Sequence, residues 1–146
     1  MQHVLVTGAN GHVGNVLARR LVEKGYRVRA SVRDLRDAER TRPLRDLGAE
    51  LVQADLMLPE TLKPAMEGLD GLFQVAAVYK THARDPRKEI IEPSITGGIN
   101  ALRAAKDAGV KKVVFTSSVA AVGSHAEASQ PLTEENWNDG AQDPYF

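Results

Sequence analysis

Cysteine is absent from this sequence. That excludes disulfide staples, thiolate zinc sites and cysteine nucleophiles, and leaves thiol usage silent about the redox compartment. Net charge is absent too, because 19 Lys and Arg balance 19 Asp and Glu. No global electrostatic pull toward nucleic acid or an anionic membrane is expected, and any basic site must be local. No apolar run approaches the roughly 18 residues of a membrane span, and no basic leader or apolar signal segment precedes the first strand pattern. Neither export nor membrane insertion is supported, and a cytoplasmic location is the expectation. No cluster of metal ligands is evident, so no metal is expected.

The 146 residues suffice for one domain, and a single hydrophobic nucleus is the natural expectation. Apolar runs alternate with helical patterns along the chain. HVLVTG, RVRASV, AELVQADL, GLFQVAAV and KKVVFTSS read as strands. Between them, Val13, Val16, Leu17, Leu21 and Val22 recur at helical spacing before Gly25, and residues 35–47 form a polar helical stretch containing Pro43. PETLKPAMEG reads as a short helix with Pro59 in its first turn, and residues 89–108 as a longer amphipathic one. Strands separated by crossover-length helices imply a parallel sheet with helices on both faces. In such sheets ligands sit beyond the carboxyl ends of the strands. After Val122 the chain turns polar and irregular, with Trp137 the one aromatic side chain in residues 123–144.

The first strand runs into TGANGHVG, residues 7–14, which places Gly8, Gly11 and Gly14 between a strand and a helix. In that context the first glycine lets the chain turn, the second lets backbone approach an anion, and the third lets the helix pack closely on the sheet. The free N–H groups of the helix start then favour a dinucleotide's pyrophosphate without needing a lysine. Asn10 is expected to brace the turn by bonding backbone, and His12 and Val13 lie beside the cofactor. A Walker loop is excluded, since no Gly-Lys-Ser/Thr follows.

The nucleotide's identity is read at the end of the second strand, where an acid marks NAD and an arginine marks NADP. Val32 is followed there by Arg33, whose guanidinium can grip a 2′-phosphate; Asp34 comes one step later, on the opposite side if the strand persists. NADP is the favoured cofactor and NAD the alternative. Arg36 and Arg40 can add to the pocket, although residues 33–46 carry five arginines against four acids and read equally as a solvated charged helix. Asp55 and Leu56 close the third strand, where a carboxylate can accept from an adenine amino group and Leu56 can pack on the ring. Asp also opens turns and caps helices. Ala76 and Ala77 close the fourth strand, where small side chains let a ribose approach backbone; tight packing alone explains them as well. The polar stretch 78–88 is positioned to line a substrate cleft.

The fifth strand ends in Thr116, Ser117 and Ser118, the first two counted with the cofactor. A serine here is often only a cap. No glycine elbow brackets either serine, which argues against a hydrolase. Tyr145 stands next to last; a tyrosine can protonate a carbonyl receiving a hydride, once a neighbouring ammonium lowers its pKa from about 10.

TGANGHVG, RVRASVRD, ADL, EIIEPSITGGINAL, VKKVVFTSSVAAVG and ENWND…PYF together resemble the extended short-chain dehydrogenase/reductases of the epimerase/dehydratase superfamily. The likeness covers the whole chain and is to the branch of dihydroflavonol and cinnamoyl-CoA reductases. It implies a Rossmann-type doubly wound α/β fold, with a dinucleotide-binding domain over residues 1–122 and an irregular active-site segment over 123–146. It further implies that Arg33 marks NADP, that Ser118 orients a substrate carbonyl, and that Tyr145, also touching cofactor, donates the proton within a Tyr-x-x-x-Lys motif. The family lysine would stand four positions after Tyr145, past Phe146, so the C-terminal part of the family fold is expected to be missing from these residues. The reading is an NADP-dependent oxidoreductase moving a hydride between the nicotinamide and a ketone or aldehyde, or the matching alcohol, of a small molecule. Relatives often pair through the helix matching 89–108, which leaves a homodimer open. An NAD-dependent sugar-nucleotide epimerase or dehydratase is the alternative, as is a dinucleotide-binding module without catalysis.

Overall fold

The computed structural model describes residues 2–80, 82–123 and 131–138. Five parallel strands form one sheet: β1 (His3–Val6), β2 (Arg27–Val32), β3 (Glu50–Gln53), β4 (Gly71–Gln74) and β5 (Lys112–Phe115). Their spatial order is β3-β2-β1-β4-β5. The chain therefore winds outward from β1 in one direction, then returns and winds in the other. The strand order reverses between β1 and β4, and a crevice beyond the strands' carboxyl ends opens at such a point. This is the doubly wound, Rossmann-type sheet.

Four α-helices make the crossovers: α1 (His12–Glu23), α2 (Ala38–Asp46), α3 (Pro59–Met66) and α4 (Glu92–Asp107). Helix α1 packs beside α2 and α3 beside α4, one pair to each face. Side chains alternate along a strand, so β1 serves both faces. Val4 and Val6 join Ala18, Leu21 and Leu44 in one core, while Leu5 joins Leu62, Met66, Leu72 and Ala105 in the other. The expected single nucleus is thus two, because a central parallel strand must be apolar on both sides and the sheet itself divides what it buries. No helix among the described residues is long and apolar enough to cross a membrane.

Two helices differ from their sequence patterns. In α1 the buried stripe is Gly14, Ala18 and Leu21, whereas Val13 and Val16 are exposed. The helix starts hard against the sheet, so small residues face inward there and the larger valines point away. The helical pattern at 89–108 resolves into a π-helical turn, Arg87–Ile91, followed by α4. Pro93 has no N–H to continue the α ladder, and its ring crowds the carbonyl four residues back; a widened turn before it relieves both.

Candidate functional site

The carboxyl ends of the strands bring every described candidate residue to one edge of the sheet. Backbone bonds stitch that edge together: Ala54 N–H to Val32 O at 3.0 Å, Ala9 N–H to Ser31 O at 3.1 Å, Thr7 N–H to Phe73 O at 3.0 Å and Thr116 N–H to Gln74 O at 2.9 Å. In space the candidates run from Asp55 and Leu56, through Arg33 and the glycine turn, to Ala76, Ala77 and finally Thr116 to Ser118.

The glycine turn occupies the point where strand order reverses. Gly8 has φ +61°, a left-handed conformation that side chains disfavour, and Gly11 N–H donates to Gly8 O at 2.9 Å. These backbone bonds hold the turn. The Asn10 side chain makes no hydrogen bond among the described residues, so its expected bracing role is corrected. A β-carbon on Gly14 would strike the Gly8 carbonyl oxygen and lie 3.0 Å from Ala9 Cα. Gly11 caps α1 with no side-chain oxygen, and the helix's first turn contains no acid. The amides of His12, Val13 and Gly14 consequently have no acceptor among the described residues. His12 and Val13 are exposed. An uncapped helix start with partial positive charge and closely approachable backbone fits an anionic diphosphate.

At the end of β2, Arg33 is exposed and makes no hydrogen bond or ion pair among the described residues. Asp34 is occupied locally: it accepts from the Arg36 backbone N–H at 2.9 Å and from Arg36 Nε at 3.0 Å. Those bonds hold its carboxyl below the usual range. Arg40, in the first turn of α2, lies 3.7 Å from Asp37, the residue that caps that helix. Both pairs are exposed, so they restrain their arginines only weakly.

Asp55 Oδ1 accepts from the Met57 N–H at 2.9 Å, which makes it a turn-former. Leu56 is half-buried against α4, where a β-carbon on Gly97 would come 3.1 Å from Leu56 Cβ. Ala76 packs on the glycine turn: a β-carbon on Gly8 would lie 3.1 Å from both its Cα and Cβ. Beneath this contact lies a polar pair that sequence reading passed over. Thr7 Oγ1 donates to Gln74 Oε1 at 3.0 Å, and both residues are buried. A glutamine inside the apolar run GLFQVAAV was the available signal.

Ser118 caps a short 3₁₀ turn, Val119–Ala121, its Oγ accepting from the Ala120 N–H at 3.2 Å. One lone pair is thereby used and the hydroxyl proton stays free to donate. Residues 131–138 return to this turn, Asn138 N–H donating to Ala121 O at 2.9 Å. In the 78–88 stretch, Glu89 gathers Lys80 Nζ at 2.8 Å and the backbone N–H groups of Arg84 and Asp85, and its carboxyl sits below the usual range, chiefly through Lys80. Tyr145 lies outside the described residues, as does Thr81.

A family model described as the NmrA-like family matches residues 1–135. This chain belongs to the NmrA-like family. The NmrA-like chain is 39% identical over 142 residues to dihydroflavonol 4-reductase of Hordeum vulgare, which covers 93% of this chain and 40% of that reductase. It is similar in structure to a UDP-glucose-4-epimerase from Stenotrophomonas maltophila with bound NAD, at TM-score 0.82 and 28% identity over 99% of this chain and 44% of that one. A triphenylmethane reductase from Citrobacter sp. complexed with NADP(H) aligns at TM-score 0.58 and 30% identity, covering 77% of this chain and 36% of that one. These relatives agree with the dehydrogenase/reductase likeness carried by the glycine turn and the strand ends. The chain spans about 40% of the length of the curated relatives it matches.

Proposed function

We propose that this chain is the cofactor-binding part of an NADP-dependent oxidoreductase acting on a ketone or aldehyde, or the matching alcohol, of a small molecule. The observation that carries this is the cradle at residues 7–14: no side chain fits on Gly14, and among the described residues no side chain caps the start of α1 and no acid stands in its first turn. The amides of Val13 and Gly14 take the diphosphate. Arg33 grips the 2′-phosphate, with Arg40 adding to the same pocket, and the absence of any other partner of Arg33 among the described residues supports that role. Asp55 and the open side of Leu56 receive the adenine, while Ala76, Ala77, Thr116 and Ser117 bed the nicotinamide half.

Bound there, a nicotinamide would supply a hydride to a carbonyl carbon or take one from an alcohol. Ser118 donates its free proton as a hydrogen bond to the substrate oxygen, polarising the carbonyl and holding its orientation. Tyr145 delivers the proton that the oxygen needs as its carbon becomes tetrahedral, and recovers one in the reverse direction. Lys80 and the turn that Glu89 organises line the approach of substrate. Ile95, Ile99 and Leu102, exposed along one side of α4, support a homodimer through that helix.

One observation favours a second reading, an NAD-dependent epimerase or dehydratase: the likeness to the NAD-bound epimerase spans nearly this whole chain. Calorimetric titration with NADPH and NADH decides between them. Tighter NADPH binding supports the reductase, and tighter NADH binding supports the epimerase.

A further inference from the structure

A buried glutamine lies directly beneath the crevice, in a strand otherwise apolar. Gln74 is 2% exposed and Thr7 1%. The Thr7 hydroxyl accepts from Val75 N–H at 2.9 Å and from Ala76 N–H at 3.0 Å. Both lone pairs are then used, so its proton goes to Gln74 Oε1, 3.0 Å away. That choice fixes the amide's orientation, and Gln74 Nε2 donates to Ala76 O at 2.7 Å. The Ala76 residue is therefore gripped at both its N–H and its C=O, once through Thr7 and once directly. Ala76 in turn lies against Gly8, close enough that an added β-carbon there would meet it at 3.1 Å. A shift of a few tenths of an ångström at Ala76 passes straight into the glycine turn, because close-packed interiors transmit displacement.

We propose that Gln74 is a positioning residue for nucleotide binding, locking the ends of β1 and β4 together so that the glycine turn and Ala76 form one rigid seat. This rests on the dinucleotide-binding reading above. Gln74 and Thr7 are buried beneath the seat, so Gln74 acts through Thr7 and Ala76.

Two variants test it in the full chain, with NADPH as the probe. Gln74→Leu keeps the volume and removes both bonds, and its Kd for NADPH is expected to rise about tenfold, as buried partners are left unpaired. Gln74→Glu carries a pH signature. Ionised, it has only acceptors and faces the Ala76 carbonyl without a proton; protonated, it offers one donor and one acceptor and restores both bonds. Its Kd relative to the parent's is therefore expected to fall as pH is lowered, with circular dichroism reporting that the fold is retained. If the leucine variant does not fold, the glutamate variant's pH profile decides alone. Parent-like affinity in a folded leucine variant, or a pH-independent ratio for the glutamate variant, overturns the inference while the nucleotide reading stands. A parent chain that binds neither NADPH nor NADH overturns both together.

Discussion

Gly14 sits against Gly8 so closely that a β-carbon on Gly14 would lie 2.9 Å from the Gly8 carbonyl carbon and closer still to its oxygen. The third glycine of the motif is thus demanded by contact between a helix and the turn that precedes it. Gly14→Ala is expected to destabilise the fold by about 1–3 kcal/mol through overpacking, and to weaken NADPH binding by displacing the amides at the start of α1. Thermal melting and calorimetry check the two effects. A variant equal to the parent in both would contradict the cradle geometry.

Arg33 has no competing partner among the described residues, whereas Arg36 is held by Asp34 and Arg40 lies beside Asp37. A hydrogen bond to a charged group contributes about 1.5–3 kcal/mol. Arg33→Ala is accordingly expected to weaken NADPH binding about tenfold to a hundredfold and leave NADH binding unchanged. Arg40→Ala is expected to have a much smaller effect. Parallel titrations of the two nucleotides check this, and an equal loss for both would remove Arg33 from 2′-phosphate recognition.

How much of this was legible beforehand varied with the physics. β1 announces itself because a central parallel strand must be apolar on both faces, β2 because apolar and polar residues alternate along it, and TGANGHVG because only glycine fits where helix meets turn. The π-helical turn before α4 was hidden, since Pro93 reads as a first-turn proline and its effect on the preceding carbonyls depends on geometry. The inward stripe of α1 is legible only in part, at Gly14 and Leu21, because Val13 and Val16 outweigh Ala18 in hydropathy although the small residues are the ones that fit. Thr7 and Gln74 escaped notice because their bond joins residues 67 apart. Asn10 was given a backbone contact by its residue type alone, and the turn closes without it.

Ser118 uses one lone pair to cap the turn at Ala120. Ser118→Ala should therefore cost about 1 kcal/mol of local stability, as cap removal does, and also lower the rate of carbonyl reduction while NADPH affinity holds. Tyr145→Phe should lower that rate while NADPH affinity holds. Steady-state kinetics beside nucleotide titrations separate the cases; an undiminished rate in either variant would remove that residue from the chemistry.

His3 provides a pH dependence away from the site. Its Nε2 is buried with no hydrogen bond, although Glu50 Oε2 is 3.4 Å away. Desolvation first, then the charges of Arg29 and Arg27, lower its pKa below the ordinary 6.5, against the opposing pull of Glu50 and Asp70. The unfolded chain thus binds the proton more readily than the folded one. Stability from this group is present above pH 6.5 and lost as pH falls from there toward the depressed folded value. His3→Gln should flatten the pH dependence of the unfolding free energy in that window, as denaturant titrations at several pH values will show; an unchanged slope would contradict it.

The most direct measurement is a crystal structure of the chain with NADPH. Diphosphate oxygens are expected within about 3.2 Å of the Val13 and Gly14 amide nitrogens, the range of an N–H···O bond, with the 2′-phosphate at Arg33. A diphosphate seated elsewhere, or a glycine turn left empty at saturating nucleotide, would contradict it.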